Sequence, residues 1–469
     1  VAKFTAEQSL KVAVIGGGWA GCAAGVELAA KGAQVTLIEA ARSLGGRARA
    51  VQAREALLDN GQHILLGAYA QTLALLRRVG VKEDDALLRL PLQMRYPPGS
   101  AQAGAGMDFV APRLPAPLHM LIALLRARGL EREDKLALAR FNTTARWMDW
   151  GLDTDCSVAE LLHRFSQTPR LIRLMWRPLC LAALNTPIER ASAQVFLAVL
   201  RDSLGAKRKA SDMLLPRVML DALFPQAAQN FIETHGDARG GRVLCGARVD
   251  ALAQQDAGWL VSTGAGAESM RFDAVVLATP PWQSAALLRP LPGTDSLCAQ
   301  LDAFEYEPIS TVYLQYEPGL RLPLPFYALL DDPEHGAWGQ FVFDRGQLDG
   351  GRATPGHASP GQDGLLAVVV SAAAAAAALD QDALAAAVAR QLAAAFRLPG
   401  LEQPRWSRVL TEKRATFACT PGLARPANAT GLPGLVLAGD YTAGDYPATL
   451  ETAVRSGLAA ARLALGAKP

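Results

Sequence analysis

The sequence predicts an α/β protein in which a Rossmann-type dinucleotide-binding domain is interrupted by an inserted α+β domain. Three observations predict it. The run Val12-Ala13-Val14-Ile15 breaks into Gly16, Gly18 and Gly21, and a helix, a second strand and Glu39 follow. A strand-glycine-acid element, Gly434-Leu435-Val436-Leu437-Ala438-Gly439-Asp440, recurs near the end of the chain, ahead of a helix. Between the two lie a helix-rich stretch and a stretch of alternating strands, and 469 residues suit two or three domains rather than one.

The elements justify this in order. Val12 to Ile15 is continuously apolar, as a parallel strand buried on both faces requires. Gly16 permits a tight turn, Gly18 lets a pyrophosphate approach bare backbone, and Gly21 lets the next helix pack closely. Ala20, Ala24 and Leu28 repeat at helical spacing and Gly32 stops the helix. The strand Val35 to Ile38 ends in Glu39, placed to accept hydrogen bonds from a ribose diol. Glycine clusters also make ordinary turns, but strand, helix and acid in register point to a dinucleotide. They do not choose between NAD and FAD.

Ser43-Leu44-Gly45-Gly46-Arg47 follows as a second phosphate or flavin-edge contact, or else a surface turn. Asp59-Asn60-Gly61-Gln62-His63 precedes a helix over 70–79. Residues 86–237 read as mainly helical, with proline-rich joints at 97–98 and 112–117 and with Trp147, Trp150 and Trp176; they pack as core or line an apolar tunnel. Strands return at 242–245, 248–252, 259–262 and 274–278, the last expected in the sheet of the first. Further strands at 309–316 and 365–370 precede the polyalanine tract 372–378, read as helix-prone filler, and a helix over 382–396. Pro447 opens the final helix, whose apolar positions form one face. Residues 1–85, 238–285 and 405–469 are therefore assigned to the dinucleotide-binding domain. Residues 86–237 form a helical substrate- and membrane-facing region, and 286–404 form the sheet-plus-helix part of the substrate domain.

Composition narrows the function classes. Half of the residues are apolar and the formal net charge is +3, with basic clustering confined to Lys207, Arg208 and Lys209. Nucleic acid is not an expected partner. The six cysteines lie apart with no C-x-x-C pair, which suits a reducing compartment and neither a disulfide framework nor a metal site. No run reaches the roughly 18 apolar residues of a spanning helix, and no secretory pattern is visible, so the expected location is cytoplasmic.

Taken together, the motifs resemble the flavin amine oxidase and phytoene desaturase superfamily. They are the glycines at 16–21, Glu39, the G-G-R at 45–47, the D-x-G-x-H at 59–63, Ala278-Thr279-Pro280-Pro281, Gly439-Asp440, and Pro447-Ala448-Thr449-Leu450-Glu451. The likeness spans the chain, and its C-terminal Gly-Asp-helix element favours FAD over NAD. A second set is similar to the hydroxysqualene dehydroxylases, also called squalene-associated FAD-dependent desaturases. It comprises Trp176 to Cys180, Leu184 to Pro187 with Ala191 to Val195, Phe343-Asp344-Arg345-Gly346 and Glu412 to Phe417.

The resemblance implies a reductive dehydroxylation of hydroxysqualene to squalene, as in hopanoid synthesis, with electrons from a nicotinamide cofactor or a reductase. It implies that Gly16, Gly18 and Ala20 meet the pyrophosphate and that Glu39 meets the adenosine ribose. Gly46 and Arg47 sit beside the flavin or pyrophosphate, with Gly61 in a flavin-contacting loop. Val249 offers its backbone to adenine, Gly439 and Asp440 take the ribityl chain, and Ala448, Thr449 and Leu450 face the flavin pyrimidine. A helix start there supplies N–H groups and partial positive charge. Glu451 is read as a solvent-side partner of Arg455 rather than a catalyst, and threonine follows it where the family often has glycine.

Removing an allylic hydroxyl needs a proton donor, and His63 and Tyr441 are the candidates; for His63 the alternative is a ring satisfied by a neighbour. A carotenoid-type desaturase is the alternative enzyme, and a non-enzymatic prenyl-chain escort the alternative of another class. An oily substrate also raises peripheral attachment to the inner face of the cytoplasmic membrane. Pro117 to Arg128 is either an interfacial lip or a core helix with solvated arginines.

Overall fold

A computed structural model describes residues 9–53, 56–205, 207–235, 240–256, 258–264, 269–348 and 362–466. Its central sheet is five-stranded and wholly parallel, in the order Arg242–Cys245, Gln34–Glu39, Lys11–Ile15, Ala274–Leu277, Leu435–Leu437. Start, middle and end of the chain thus supply one sheet, as the apolar runs predict. Val12, Val14, Val276 and Leu37 are fully buried under the helices Trp19–Ala30, Pro225–Thr234 and Leu450–Gly466, while Ala13, Val275 and Leu277 face the antiparallel sheet of Val249–Gln255, Gly258–Thr263 and Met270–Phe272. The helices Trp19–Ala30 and Leu450–Gly466 pack so closely that a Cβ on Gly457 would overlap the carbonyl oxygen of Ala20.

A second five-stranded sheet is antiparallel, in the order Phe326–Ala328, Phe341–Asp344, Leu365–Val370, Tyr306–Gln315, Trp406–Phe417. The helix Gln381–Phe396 covers one face. Trp406–Phe417 belongs to this sheet, so the segment drawn from 405 for the dinucleotide-binding domain first traverses the antiparallel sheet. A small sheet joins Leu65–Leu66 and Leu87–Leu90 to Met213–Pro216 and so bridges the division drawn at 86. The division at 237–238 lies outside the described residues. Helices between 118 and 205 pack around Phe141, Trp176 and Phe196.

One sequence expectation needs correction, and one open choice is narrowed. The polyalanine tract is not helical: Ala372 has φ +46° and only Ala376–Ala378 make a short 3₁₀ turn. Ala372 N donates to Asn185 Oδ1 and Ala373 N to Pro308 O, and these tertiary bonds override helix propensity. The segment 117–128, read as either a lip or a core helix, contains the helix Leu118–Arg126, which sets Met120, Ala123 and Leu124 against the core and leaves its other leucines outside it. Leu118, Leu121 and Leu125 point outward, and His119 and Ala123 are buried. Among the described residues no helix is long and apolar enough to cross a membrane.

Candidate functional site

Beyond the carboxyl ends of the parallel strands, against the antiparallel sheet, lies a cavity of about 720 Å³. Gly16, Gly18, Ala20, Glu39, Gly46, Arg47, Gly61, His63, Val249, Gly439, Asp440, Tyr441, Ala448, Thr449 and Leu450 all line it. Gly21 stands behind the loop.

The glycines divide the labour sterically. Gly16 turns at φ +106° while its N–H donates to Ile38 O (2.8 Å). A side chain on Gly21 would overlap the Gly16 carbonyl oxygen, so this glycine serves helix packing. At Gly18 a Cβ would meet nothing nearer than Gly46 Cα at 4.0 Å. The position is open, so the missing side chain exposes backbone to a ligand rather than relieving a clash. Gly45 N donates to Gly17 O (2.8 Å), and the two glycine loops lie against each other. This cradle fits a dinucleotide pyrophosphate.

Glu39 also braces the loop: Oε2 accepts from Gly17 N (2.6 Å) and Oε1 from Ala41 N (2.7 Å). Both oxygens keep further acceptor capacity for a diol. Arg47 Nη2 lies 2.7 Å from Asp440 Oδ2, and Nη1 donates to Ala415 O (2.6 Å). Burial works against the Arg47 charge, but Asp440 outweighs it and holds the guanidinium pKa above its ordinary value. Pairing of the Val249–Gln255 strand shifts register between Val249 and Ala251.

The two proton-donor candidates differ. His63 Nδ1 lies 3.1 Å from Gly61 O, and a carbonyl only accepts, so this nitrogen carries the proton. Burial lowers the ring's pKa, the Gly61 bond opposes this, and Arg47 adds to the lowering. At neutral pH the ring is neutral with Nε2 unprotonated, a form that accepts a proton rather than donating one. Tyr441 is buried, which pushes its phenol pKa up, and its hydroxyl lies 3.2 Å from Ser284 Oγ. It keeps its proton at neutral pH.

Glu451 does pair with Arg455 (2.7 Å), but not on the solvent side. The carboxylate is fully buried and accepts from Gln71 N, Thr72 N and Thr72 Oγ1. It caps the helix Ala70–Arg78 from across the chain and is not among the cavity-lining residues.

A buried polar group behind the cavity was not foreseen. Arg345 reaches Gln62 Oε1 (3.1 Å), Gln362 Oε1 (3.0 Å) and Asp59 Oδ2 (3.7 Å). Gln62 Nε2 donates to Tyr313 Oη (2.8 Å). Burial, opposed by Arg345, pushes the Asp59 carboxyl up to about 6. The motifs at 59–63 and 343–346, far apart in sequence, thus meet in one network; spacing alone carried no signal of it. Asn185 likewise joins 184–187 to 412–417, donating to Thr416 Oγ1 (2.9 Å). Away from the glycine loops the wall is mostly apolar, with Leu181, Ala183, Leu287, Ile309, Phe341 and Phe343 beside Asn185, Ser371 and Thr416. The cavity is charged and backbone-rich at one end and oily at the other.

Residues 19–465 match the family model of flavin containing amine oxidoreductase. Hydroxysqualene dehydroxylase of Rhodopseudomonas palustris is 30% identical, covering 98% of this chain and 99% of its own. That of Zymomonas mobilis is 25% identical, covering 96% and 98%. Zeta-carotene desaturase of a Synechocystis species is 24% identical, covering 97% of each chain. Cyclohexylamine oxidase from Brevibacterium oxydans superposes with a TM-score of 0.64 over 98% of this chain and 99% of its own, at 18% identity; it shares the fold.

Proposed function

We propose a reaction for this chain from the premise that it belongs to the flavin-containing amine oxidoreductase family and is an FAD-dependent oxidoreductase. The reaction is reductive dehydroxylation of hydroxysqualene to squalene. Full-length similarity to hydroxysqualene dehydroxylases supports this reading. The observation that carries it is the apolar wall from Leu181 through Phe343, continuous with the glycine cradle. A hydrocarbon chain gains roughly 0.8 kcal/mol for each buried CH₂ on such a surface.

The backbone at Gly16, Gly18, Ala20 and Gly46 would hold the pyrophosphate, Glu39 the ribose, and Val249 the adenine. Arg47, Gly439 and Asp440 would hold the ribityl segment. Thr449 Oγ1 accepts from Thr452 N (3.2 Å), so the helix Leu450–Gly466 has an ordered start that would face the pyrimidine edge. The substrate hydroxyl leaves as water once protonated, and the hydride is what reduced FAD would supply when held by these residues. The apolar wall keeps solvent water from the electron-poor allylic carbon. Tyr441 is the proton donor favoured here. Its hydroxyl is protonated at neutral pH and is held by Ser284 Oγ, which bonds in turn to Thr279 Oγ1 (2.8 Å).

Electrons come from a nicotinamide cofactor or a reductase, and the substrate arrives from a lipid phase. The test is anaerobic incubation of the reduced holoenzyme with hydroxysqualene, with squalene as the expected product. Formation of a polyene from phytoene or squalene with oxidised FAD would instead favour the carotenoid-type reading, to which the similarity with zeta-carotene desaturase lends support.

A further inference from the structure

Large apolar side chains are seldom exposed in a cluster on a soluble surface unless something covers them. Ten are strongly exposed among the described residues, and six of these fall between 114 and 147. On and just before the helix Leu118–Arg126 they are Leu114 (38% exposed), Leu118 (50%), Leu121 (52%) and Leu125 (62%). Their spacing of three and four residues forms a single stripe. On the next helix, Arg132–Trp147, Leu136 (64%) and Trp147 (86%) stand three turns apart on one face. The two helices adjoin where Lys135 Nζ donates to Leu125 O (3.0 Å).

Charge accompanies the apolar groups. Residues 113–147 hold seven arginines and lysines against three acids, whereas the whole chain nets +3, so the rest of the molecule is slightly acidic. Arg113, Arg126, Arg128, Arg132, Arg140 and Arg146 are exposed. Of the acids, Asp134 is buried under Thr168. Position also matters. The helix Leu118–Arg126 packs on the strand Asp108–Val110, which pairs with Gln93–Arg95, and that strand packs on Phe326–Ala328. Phe326–Ala328 is the edge of the five-stranded antiparallel sheet, and its neighbour carries Phe341 and Phe343 into the cavity wall.

We propose that the exposed faces of Leu118–Arg126 and Arg132–Trp147 form a docking surface for an anionic lipid bilayer, beside the apolar end of the cavity. Leucines and a tryptophan enter the headgroup boundary while the arginines meet lipid phosphates. A second copy of the chain is a poor occupant, because a twofold contact would set this positive surface against itself. The surface argument stands on exposure and charge alone. The reaction proposed above explains its use but does not support it.

The test is co-sedimentation of the FAD-loaded full chain with phosphatidylcholine vesicles, with and without phosphatidylglycerol, and needs no turnover. The wild type is expected to sediment with anionic vesicles and to be released by salt. Leu121→Asp/Leu125→Asp and, separately, Arg126→Glu/Arg128→Glu should each weaken binding by about tenfold or more. Both should keep their flavin absorption. Brominated lipid should quench wild-type tryptophan fluorescence, with less quenching in Trp147→Phe. If the leucine variant fails to fold, the arginine variant and the quenching decide. Failure of the wild type to bind, or unchanged binding by a folded variant, overturns the proposal. So does loss of a dimer in place of loss of lipid binding, which would mark a protein interface.

Discussion

Arg47 Nη2 and Asp440 Oδ2 sit 2.7 Å apart in the cavity wall, tying the second glycine loop to the last strand of the parallel sheet. The carboxylate is the more buried partner, so removing the arginine strands it. Arg47→Leu should cost about 1–2 kcal/mol of stability, below the range for fully buried pairs because the guanidinium is partly solvated. It should also weaken FAD retention, which Arg47→Lys should partly restore. Thermal denaturation and flavin content after gel filtration check this; full FAD retention in Arg47→Leu would remove the residue from the cofactor site.

Gly18 and Gly21 should fail differently. Gly18 has an ordinary φ of −71° and open space before it, so Gly18→Leu should fold and lose FAD. Gly21→Leu drives a side chain into the Gly16 carbonyl and should not yield folded protein. Circular dichroism alongside flavin absorption separates the two outcomes. Tight FAD retention in folded Gly18→Leu would show that the pyrophosphate lies elsewhere.

What the sequence made legible follows from what sterics leave on the page. Gly16, Gly18, Gly21 and Glu39 were readable because a turn, a close approach and a helix contact each demand a residue type at a set spacing. Leu118, Leu121 and Leu125 were not, because periodicity reports that a stripe exists and not which side of the molecule it faces. The Arg345–Gln62–Asp59 network joins residues nearly 300 positions apart, and nothing local encodes such a contact. Ala372 to Ala378 misled because its propensity is strong but its first residues are already bonded to Asn185 and Pro308.

His63 gives a pH signature with a definite sign. Its folded pKa lies below the ordinary value of 6.5, so the native state favours the neutral ring. Above that value neither state is protonated there and the residue contributes nothing. Below it the unfolded chain binds the proton first, and stability falls by at most about 1.4 kcal/mol per pH unit until the folded pKa is reached. His63→Gln lacks this loss and should gain stability relative to wild type as pH falls from neutral. Parallel urea titrations of both proteins measure the difference. A constant difference across pH would show that the ring is not held neutral.

Glu451 separates structure from chemistry. Its position beside a helix start that lines the cavity invites a catalytic role, yet every oxygen is committed: Oε1 to Arg455 Nε and Gln71 N, Oε2 to Thr72 N and Oγ1. A carboxylate so placed fastens the helix Ala70–Arg78 to the helix Leu450–Gly466. Glu451→Gln turns one end into a donor facing donors, and should cost roughly 3 kcal/mol, since bonds to a charged group contribute about 1.5–3 kcal/mol each. Arg455→Met removes the more exposed partner and should cost about 1 kcal/mol, lost in part with its contact over the Tyr446 ring. Denaturation of the two variants tests this order. Below its lowered melting temperature, Glu451→Gln should still turn over at close to the wild-type rate per bound FAD, because the side chain does not reach the cavity. A folded, flavin-loaded Glu451→Gln with stability intact and turnover abolished would place the carboxylate in the chemistry instead.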